Sequence, residues 1–101
     1  MHPKKRLELI IETMAQKKAG RILDESGVKG HTSFMALSGK SGKTEWSLVG
    51  DLSASQHMVM IVAIGDQAVI ATACARLQDL LSDHIGVLSI SDVDVLRPER
   101  F

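Results

Sequence analysis

The alternation of apolar and polar residues predicts the first three elements of the chain. Residues 6–12 alternate as a strand does, and residues 14–26 place apolar side chains at spacings of three and four, as an amphipathic helix does. Gly27 follows at the position where glycine adopts a left-handed helix cap at least cost. Residues 28–37 then read as a second strand, interrupted early by Gly30.

The second half of the chain repeats this order. Residues 58–64 are continuously apolar, which is typical of a strand buried on both faces, either in the centre of a sheet or under another subunit. Residues 67–83 form an amphipathic helical pattern. In the last strand the apolar phase changes between Ile90 and Val93, which predicts a bulge or break at residues 91–92.

The predicted order, strand-helix-strand-strand-helix-strand, is that of an α+β ferredoxin-like βαββαβ domain. Residues 1–101 then form one domain, in which two helices cover one face of an antiparallel four-stranded sheet. A bare apolar sheet face marks an interaction surface, so we expect oligomerisation through the other face. Met58, Met60 and Val62 are candidates for that contact, with ordinary core filling as the equally weighted alternative.

Composition and charge exclude several classes of function. Lys plus Arg equals Asp plus Glu at 12 each, so net charge gives no argument for nucleic-acid binding or an anionic membrane surface. Apolar runs fall short of the ~20 residues of a membrane span, and the first one is interrupted by Glu8 and Glu12, unlike a signal peptide. Because Cys74 is the single cysteine, an internal disulfide is excluded, which fits a reducing cytoplasm. We interpret Cys74 as a small core residue.

Residues 38–55 form a glycine-rich, basic segment that we expect to be a flexible loop. Its start, residues 38–44, resembles a phosphate-binding Walker A loop. The motif fails because Leu37 stands where the first glycine belongs, and because no helical pattern follows. Trp46 is a large aromatic residue in this loop, suited either to anchor a partner protein or to fold back onto the domain.

Other residue patterns point to anion binding rather than catalysis. The four histidines lack close metal-ligand spacing, no nucleophile motif is present, and Asp92 with Asp94 is expected to face solvent, so we predict neither a metal site nor a catalytic site. Glycines supply flexible N–H donors and close backbone approach, and Arg97 with Arg100 supplies permanent positive charge suited to phosphate or carboxylate. A solvated C-terminal tail is the alternative for these two arginines.

The arrangement as a whole resembles the PII-like signalling proteins, and most closely the branch associated with carboxysomes and bicarbonate transporters. Residues 30–32 look like the family's Gly-x-Thr, residues 38–55 look like its T-loop, and residues 91–98 look like its C-terminal strand and arginine. The resemblance implies a homotrimer that binds adenine nucleotides in the clefts between subunits. It also implies a T-loop that changes shape with the ligand and docks on a target protein.

Carried over by position, the resemblance implies nucleotide or anion binding by Gly30, His31, Thr32, Gly39, Lys40, Gly86, Val87, Arg97 and Arg100. It implies partner binding by Gly42, Lys43 and Trp46. The chain departs from the family at residues 84–87, which carry no Lys or Arg, at residues 56–57, which are Gln and His where the family has a lysine, and in having no tyrosine. AMP or ADP, bicarbonate, or no nucleotide remain as alternatives for the effector.

We therefore expect a cytoplasmic, trimeric regulator rather than an enzyme. It would sense AMP, ADP or bicarbonate, without a tightly bound cofactor, and control a bicarbonate transporter or carboxysome component without entering the membrane or binding nucleic acid. The alternative is a trimeric metal-binding protein of the CutA kind, which shares the ferredoxin-like design. A small α+β barrel enzyme would need a buried acid/base pair that the sequence does not display.

Overall fold

The computed structural model of the chain describes residues 1–42, 44–47 and 57–101. In chain order the elements are β1 (His2–Glu12), a 3₁₀ turn (Thr13–Ala15), α1 (Gln16–Glu25), β2 (His31–Met35), β3 (Ser38–Ser41), β4 (Thr44–Ser47), β5 (Met58–Gly65), α2 (Gln67–Leu81), β6 (Gly86–Val95) and a closing 3₁₀ turn (Pro98–Arg100). Both predicted helices and all four predicted strands are present.

The main sheet has the strand order β2-β5-β1-β6, and every neighbouring pair is antiparallel. Each helix connects two parallel strands that flank a central strand, β1 to β2 and β5 to β6, and the right-handed sense of such crossovers places both helices on the same face of the sheet. This order is that of a ferredoxin-like domain, and the predicted fold class is confirmed.

The core lies between the helices and one face of the sheet. Alternate residues of β1 and β5 point into it, as their period of two requires, and meet the apolar stripes of α1 and α2. Its fully buried members include Leu7, Leu9, Ile11, Ala19, Leu23, Val59, Ile61, Ile70, Ala73 and Leu77. Gly27, with φ +97°, turns the chain out of α1, and the Val28 N–H donates to the Leu23 carbonyl at 3.1 Å, which confirms the predicted glycine cap.

The opposite face of the sheet, called here the open face, has no helix among the described elements. One row of apolar side chains crosses it from edge to edge, because the register pairs Phe34 with Met60, Met60 with Ile10, and Ile10 with Val87. Phe34 and Val87 are about half exposed, at 51% and 54%. Burial of a continuous apolar row on a sheet face against another molecule lowers the free energy, so such a row marks an interaction surface.

The predicted bulge at residues 91–92 is wrong. β6 pairs with β1 in one uninterrupted register, from Gly86 opposite Ile11 to Val95 opposite His2. The apolar phase changes because the strand changes the face that it buries. Leu88 packs against the helical core, whereas Val93 lies on the open face.

Two other expectations are refined by the structure. Residues 38–47 form a hairpin, with β3 paired to β4 and Gly42 at the turn with φ +59°, instead of an irregular loop. The rest of the predicted flexible segment, residues 48–56, lies outside the described residues. Met58 is only 3% exposed and thus already buried within one chain, whereas Met60 lies half-buried on the open face, as predicted for an interface residue.

Gly86 is required by packing, and its substitution gives a test of the fold. A Cβ at this position would lie 2.5 Å from the Ile10 carbonyl oxygen and 2.8 Å from Leu81 Cδ2. We expect Gly86→Ala to lower the free energy of unfolding by about 1–3 kcal/mol, because the neighbouring backbone has to move. Urea unfolding followed by circular dichroism at one protein concentration measures this loss.

Gly30→Ala is the matched control, because its Cβ would meet no atom of the described residues within 4 Å. It should leave the unfolding midpoint nearly unchanged. Equal midpoints for the two variants would contradict the close approach of Gly86 to β1.

Candidate functional site

The residues predicted to bind an effector separate into two groups at opposite ends of the open face. One group lines a cavity of about 650 Å³ where β2 leads into β3 and where β6 begins. The other lines a cavity of about 950 Å³ where β2 begins and β6 ends. We call them the loop-side pocket and the terminal pocket.

The loop-side pocket contains four of the predicted residues: Gly39, Lys40, Gly86 and Val87. Its floor is the apolar row of the open face, from Phe34 to Val87, so it offers a flat apolar surface of the kind that planar ring systems occupy. Lys40 is 67% exposed at the rim and lies 3.8 Å from Glu45 of the same hairpin. A pair this exposed holds its charges only weakly in place.

A polar clamp that the sequence analysis missed closes one wall of this pocket. Glu12 Oε1 accepts a hydrogen bond from the Ile85 N–H at 2.8 Å and lies 3.4 Å from His84 Nδ1. The Glu12 N–H donates to the Ile85 carbonyl at 3.3 Å. One residue at the end of β1 therefore fixes the turn that leads into β6. In the sequence, this contact is visible only as a carboxylate that directly follows the apolar residues of β1. The sequence does not indicate which residues this carboxylate contacts.

The terminal pocket contains the other five predicted residues: Gly30, His31, Thr32, Arg97 and Arg100. Lys29 also lines it, so three side chains that are permanently cationic near neutral pH face one acidic side chain, Asp94. This balance suits an anionic ligand, and arginine in particular suits the planar oxygens of a phosphate or carboxylate.

Neighbouring residues of β2 lie on opposite faces of the sheet. The His31 ring lies on the helical side, with Nδ1 3.9 Å from Asp24 Oδ1 and Nε2 3.3 Å from where a Cβ on Gly20 would stand. Thr32 lies on the open face opposite Val62. Of this pair, Thr32 has the side chain that is better placed for a ligand on the open face.

Two lysines that the sequence analysis did not single out hold the C-terminal turn in place. Lys4 Nζ donates to Asp66 Oδ1 at 2.5 Å and to the Phe101 carbonyl at 3.5 Å. Lys29 Nζ donates to the Glu99 carbonyl at 3.1 Å. These contacts position the segment that carries Arg97 and Arg100, so the C-terminal residues belong to the folded domain and are not a freely solvated tail.

The remaining predicted functional residues either line neither pocket, as Gly42, or lie outside the part of the chain that the structure describes. Gly42 is exposed at the hairpin turn, Trp46 pairs through its backbone with Gly39, and Lys43 and the Trp46 side chain lie outside what the structure describes. Cys74 is half-buried against the core, and this burial raises the pKa of its thiol. Within residues 1–42, 44–47 and 57–101, no three His, Cys, Asp or Glu side chains cluster as metal ligands.

Comparison with known proteins identifies the family of this chain. The model of the nitrogen regulatory protein P-II family matches residues 4–100, so the chain belongs to this family. Trimers that interact with partners are typical of it. The match supports the PII-like interpretation over the CutA-like alternative. No curated protein sequence matches the chain at a significant level.

One solved structure agrees with this assignment, and two more distant ones share the fold. CPII from Thiomonas intermedia, a nitrogen regulatory PII-like protein bound to ADP, AMP and bicarbonate, is 30% identical, with a TM-score of 0.90 over 99% of this chain and 94% of that one. A PII-like signalling protein from Thermus thermophilus is 19% identical with a TM-score of 0.82, over 99% and 96% of the two chains. The B. subtilis GlnK–ATP complex, at 15% identity and a TM-score of 0.68 over 100% and 99%, shares the fold.

Among the described residues, no helix is both long and apolar enough to cross a membrane. The two helices belong instead to the domain core, where their apolar stripes are already covered by the sheet.

The Lys4–Asp66 contact makes a testable prediction about pH. The hydrogen bond from Lys4 and its positive charge hold the pKa of Asp66 below its ordinary value. A carboxyl group with a lowered pKa stabilises the folded state above its unfolded pKa of about 4 and loses that contribution as the pH falls through the folded value. We therefore expect Asp66→Asn to lower the melting temperature at pH 7, and the difference from the parent protein to close below about pH 4.

Asp83→Asn is a suitable control, because Asp83 is exposed in the turn after α2 and contacts neither Lys4 nor the C-terminal turn in the described structure. A constant difference between the parent and Asp66→Asn from pH 7 to pH 3 would contradict the charge-based role.

Proposed function

We propose that the chain is a homotrimeric PII-like regulator whose effector site forms between subunits, from the loop-side pocket of one copy and the terminal pocket of the next. One observation carries this proposal: the two groups of predicted ligand residues line separate pockets on the same open face. β6 alone spans ten residues, or about 30 Å, between them. A mononucleotide held within one chain does not reach both.

The open face supplies the driving force for association. Its apolar row is exposed at both sheet edges in the single chain, and burial of apolar area is the dominant favourable term in subunit association. A cyclic trimer uses a head-to-tail contact, in which one end of the face meets the other end of the neighbouring face. The same contact that covers the row thereby joins unlike pockets.

The chemistry of the two pockets is complementary for AMP, ADP or bicarbonate. The loop-side pocket offers an apolar floor beside the backbone of Gly39, and the terminal pocket offers Lys29, Arg97 and Arg100. An adenine nucleotide has one apolar, planar end and one anionic end, so it matches the pair better than either pocket alone. Bicarbonate would use the cationic end only. CPII, which binds ADP, AMP and bicarbonate, supports this choice of ligands.

We further propose that the signal leaves the site through the hairpin. Gly39 and Lys40 line the loop-side pocket and also form β3, so a ligand that contacts them changes the position of the segment that follows. Residues 38–55, with Gly42, Lys43 and Trp46, would dock on a partner, for which we favour a bicarbonate transporter or a carboxysome component. On this proposal the protein acts in the cytoplasm by binding and catalyses no reaction.

Trimerisation is the first prediction of this proposal. Light scattering coupled to size exclusion should give a mass near three times that of the 11.0 kDa chain. Met60→Glu, which places a charge in the middle of the apolar row, should shift the protein toward monomers. A monodisperse monomer of the parent protein at micromolar concentration would overturn the shared site.

Loss of one arginine is the second prediction. Arg97→Ala should weaken AMP or ADP binding to the trimer by about 1.5–3 kcal/mol, because one charge-assisted contact is removed. Arg97→Lys should recover part of the affinity, since lysine keeps the charge but lacks the planar two-donor geometry. Isothermal calorimetry measures both.

Arg76→Ala is the matched control. Arg76 lies on α2, pairs with Glu25 at 2.8 Å and lines neither pocket. Its removal should leave affinity unchanged. Equal affinities of the parent and Arg97→Ala trimers would show that Arg97 does not contact the ligand.

A further inference from the structure

Two methionines of β5 line the loop-side pocket from the same face of the sheet. Met58 and Met60 alternate onto the open face, because the residue between them, Val59, lies in the helical core. Their Cα atoms are two residues apart along the strand, or about 7 Å. A methionine side chain is unbranched and has three rotatable bonds, so two at this spacing can bring both sulfur atoms onto one bound atom.

A histidine adjoins these thioethers. Met58 pairs with Glu12 in the register of β1 and β5, and Glu12 Oε1 lies 3.4 Å from His84 Nδ1. The His84 N–H donates to the Leu81 carbonyl at 3.3 Å, which fixes the turn that carries the ring. His84 also lines the pocket, so two sulfur atoms and one imidazole belong to the same end of the open face.

Glu12 orients the imidazole in the way that a metal ligand requires. Its carboxylate is 14% exposed and accepts a hydrogen bond from the Ile85 N–H at 2.8 Å, so it is held in place. Because Nδ1 of His84 faces this carboxylate, Nε2 is the ring nitrogen that is left for the pocket. Metal-binding histidines usually turn their second ring nitrogen to a carboxylate or carbonyl, since this fixes the tautomer and strengthens the ligand.

The donor set matches a soft, singly charged metal ion. Thioethers suit Cu(I) and imidazole suits copper, whereas Mg²⁺ and Ca²⁺ prefer oxygen ligands. Zn²⁺ sites are built from thiolates, imidazoles and carboxylates rather than from thioethers. The donors are uncharged, and the Glu12 carboxylate beside them balances one positive charge. Ile10, Phe34 and Val87 supply apolar surroundings, in which a second uncompensated charge is costly.

Other nearby groups do not change this choice. Met35 also lines the pocket, but it pairs with Val59 and therefore starts from the helical side of β2. Lys40 is 67% exposed at the rim and paired with Glu45, so its repulsion of a cation is weak. Cys74 packs against the core from α2. The sulfur donors of the pocket are thus Met58 and Met60.

We propose that Met58, Met60 and His84 form a binding site for Cu(I), with Glu12 as the residue that positions the imidazole. The two sulfur atoms and Nε2 of His84 would give a three-coordinate ion. The proposal goes beyond the proposed effector function and uses residues of one chain only. It differs from the sequence-based expectation of no metal site, which rested on the spacing of the histidines and did not consider thioethers.

Anaerobic titration of the untagged full chain with Cu(I), with bicinchoninate as a coloured competitor for the metal, tests the site. The parent protein should bind one Cu(I) per chain. Met60→Leu and His84→Gln should each weaken binding by about tenfold or more, because loss of even a supporting partner of a metal ligand typically costs about 10–100-fold. X-ray absorption of the copper-loaded parent should show both sulfur and nitrogen neighbours of copper.

Glu12→Gln tests the positioning role. Glutamine keeps an oxygen for the Ile85 N–H but removes the charge that faces His84. We expect about tenfold weaker Cu(I) binding, with the unfolding midpoint of the metal-free protein close to that of the parent. Unchanged Cu(I) affinity would remove Glu12 from the site.

Cys74→Ala and Met14→Leu are the controls, because each removes a sulfur atom from a residue outside the pocket lining. Met14 is 66% exposed in the 3₁₀ turn after β1. Both variants should bind Cu(I) as the parent does. Loss of binding in Cys74→Ala would place the metal on the thiol and overturn the proposal.

Three further outcomes would contradict the site: no Cu(I) binding by the parent, copper without sulfur neighbours, or unchanged affinity in Met60→Leu. The absorption spectrum is recorded on the parent, so the proposal stays testable if His84→Gln fails to fold. Calorimetry with AMP on the metal-free parent reports the effector site separately. Failure of AMP binding would therefore leave the Cu(I) site standing, and failure of Cu(I) binding would leave the effector site standing.

Discussion

Two helices cover only one face of a four-stranded sheet, and this constraint shapes the rest of the molecule. The core is complete on the helical side, where Leu7, Leu9 and Ile61 are fully buried. On the other side the register of the strands aligns Phe34, Met60, Ile10 and Val87 into one apolar row, which is about half exposed at both edges of the sheet. The folded single chain therefore leaves an apolar surface uncovered, which a second copy of the same chain can cover.

The sheet also sets the distance between the pieces of the site. Antiparallel strands place the start of β2 and the end of β6 at one end of the open face, and the end of β2 and the start of β6 at the other. Close packing then fixes each end separately. Glu12 and Gly86 secure the loop-side turn, while Lys4 and Lys29 secure the C-terminal turn. On the proposed arrangement, the fold fixes two half-sites separately, and the symmetry of the trimer combines them.

Much of the fold could be predicted from the sequence because it depends on periodicity, which is local. The helix of residues 67–83 and the apolar strand at 58–64 follow from spacing alone, and the structure confirms both within two residues. The prediction of a bulge at residues 91–92 was wrong because a shift in the alternation of apolar residues can have two causes. Either the strand contains an extra residue, or it changes the face of the sheet on which its apolar side chains are buried. Only the pairing with β1 distinguishes them.

The candidate site was harder to predict from the sequence, because its residues are far apart along the chain and come together only in the folded structure. Glycines and arginines could be named from residue type and family resemblance, but the separation into two pockets depends on strand order. The contact of Glu12 with His84 joins residues 72 positions apart, and the contact of Lys4 with Phe101 joins residues 97 positions apart. Such contacts leave no periodic signal in a single sequence.

The most direct test of the account is complementation between two half-site variants. Lys40→Glu places a negative charge at the rim of the loop-side pocket and Arg97→Glu places one in the terminal pocket, so each protein alone should repel AMP and lose most of its binding. In mixed trimers, random assembly pairs an intact loop-side pocket with an intact terminal pocket in about a quarter of the clefts. We expect AMP binding by calorimetry to return to about a quarter of the sites when the two variants are co-expressed. Mixed trimers, verified by native mass spectrometry, that bind no AMP would contradict a site shared between subunits.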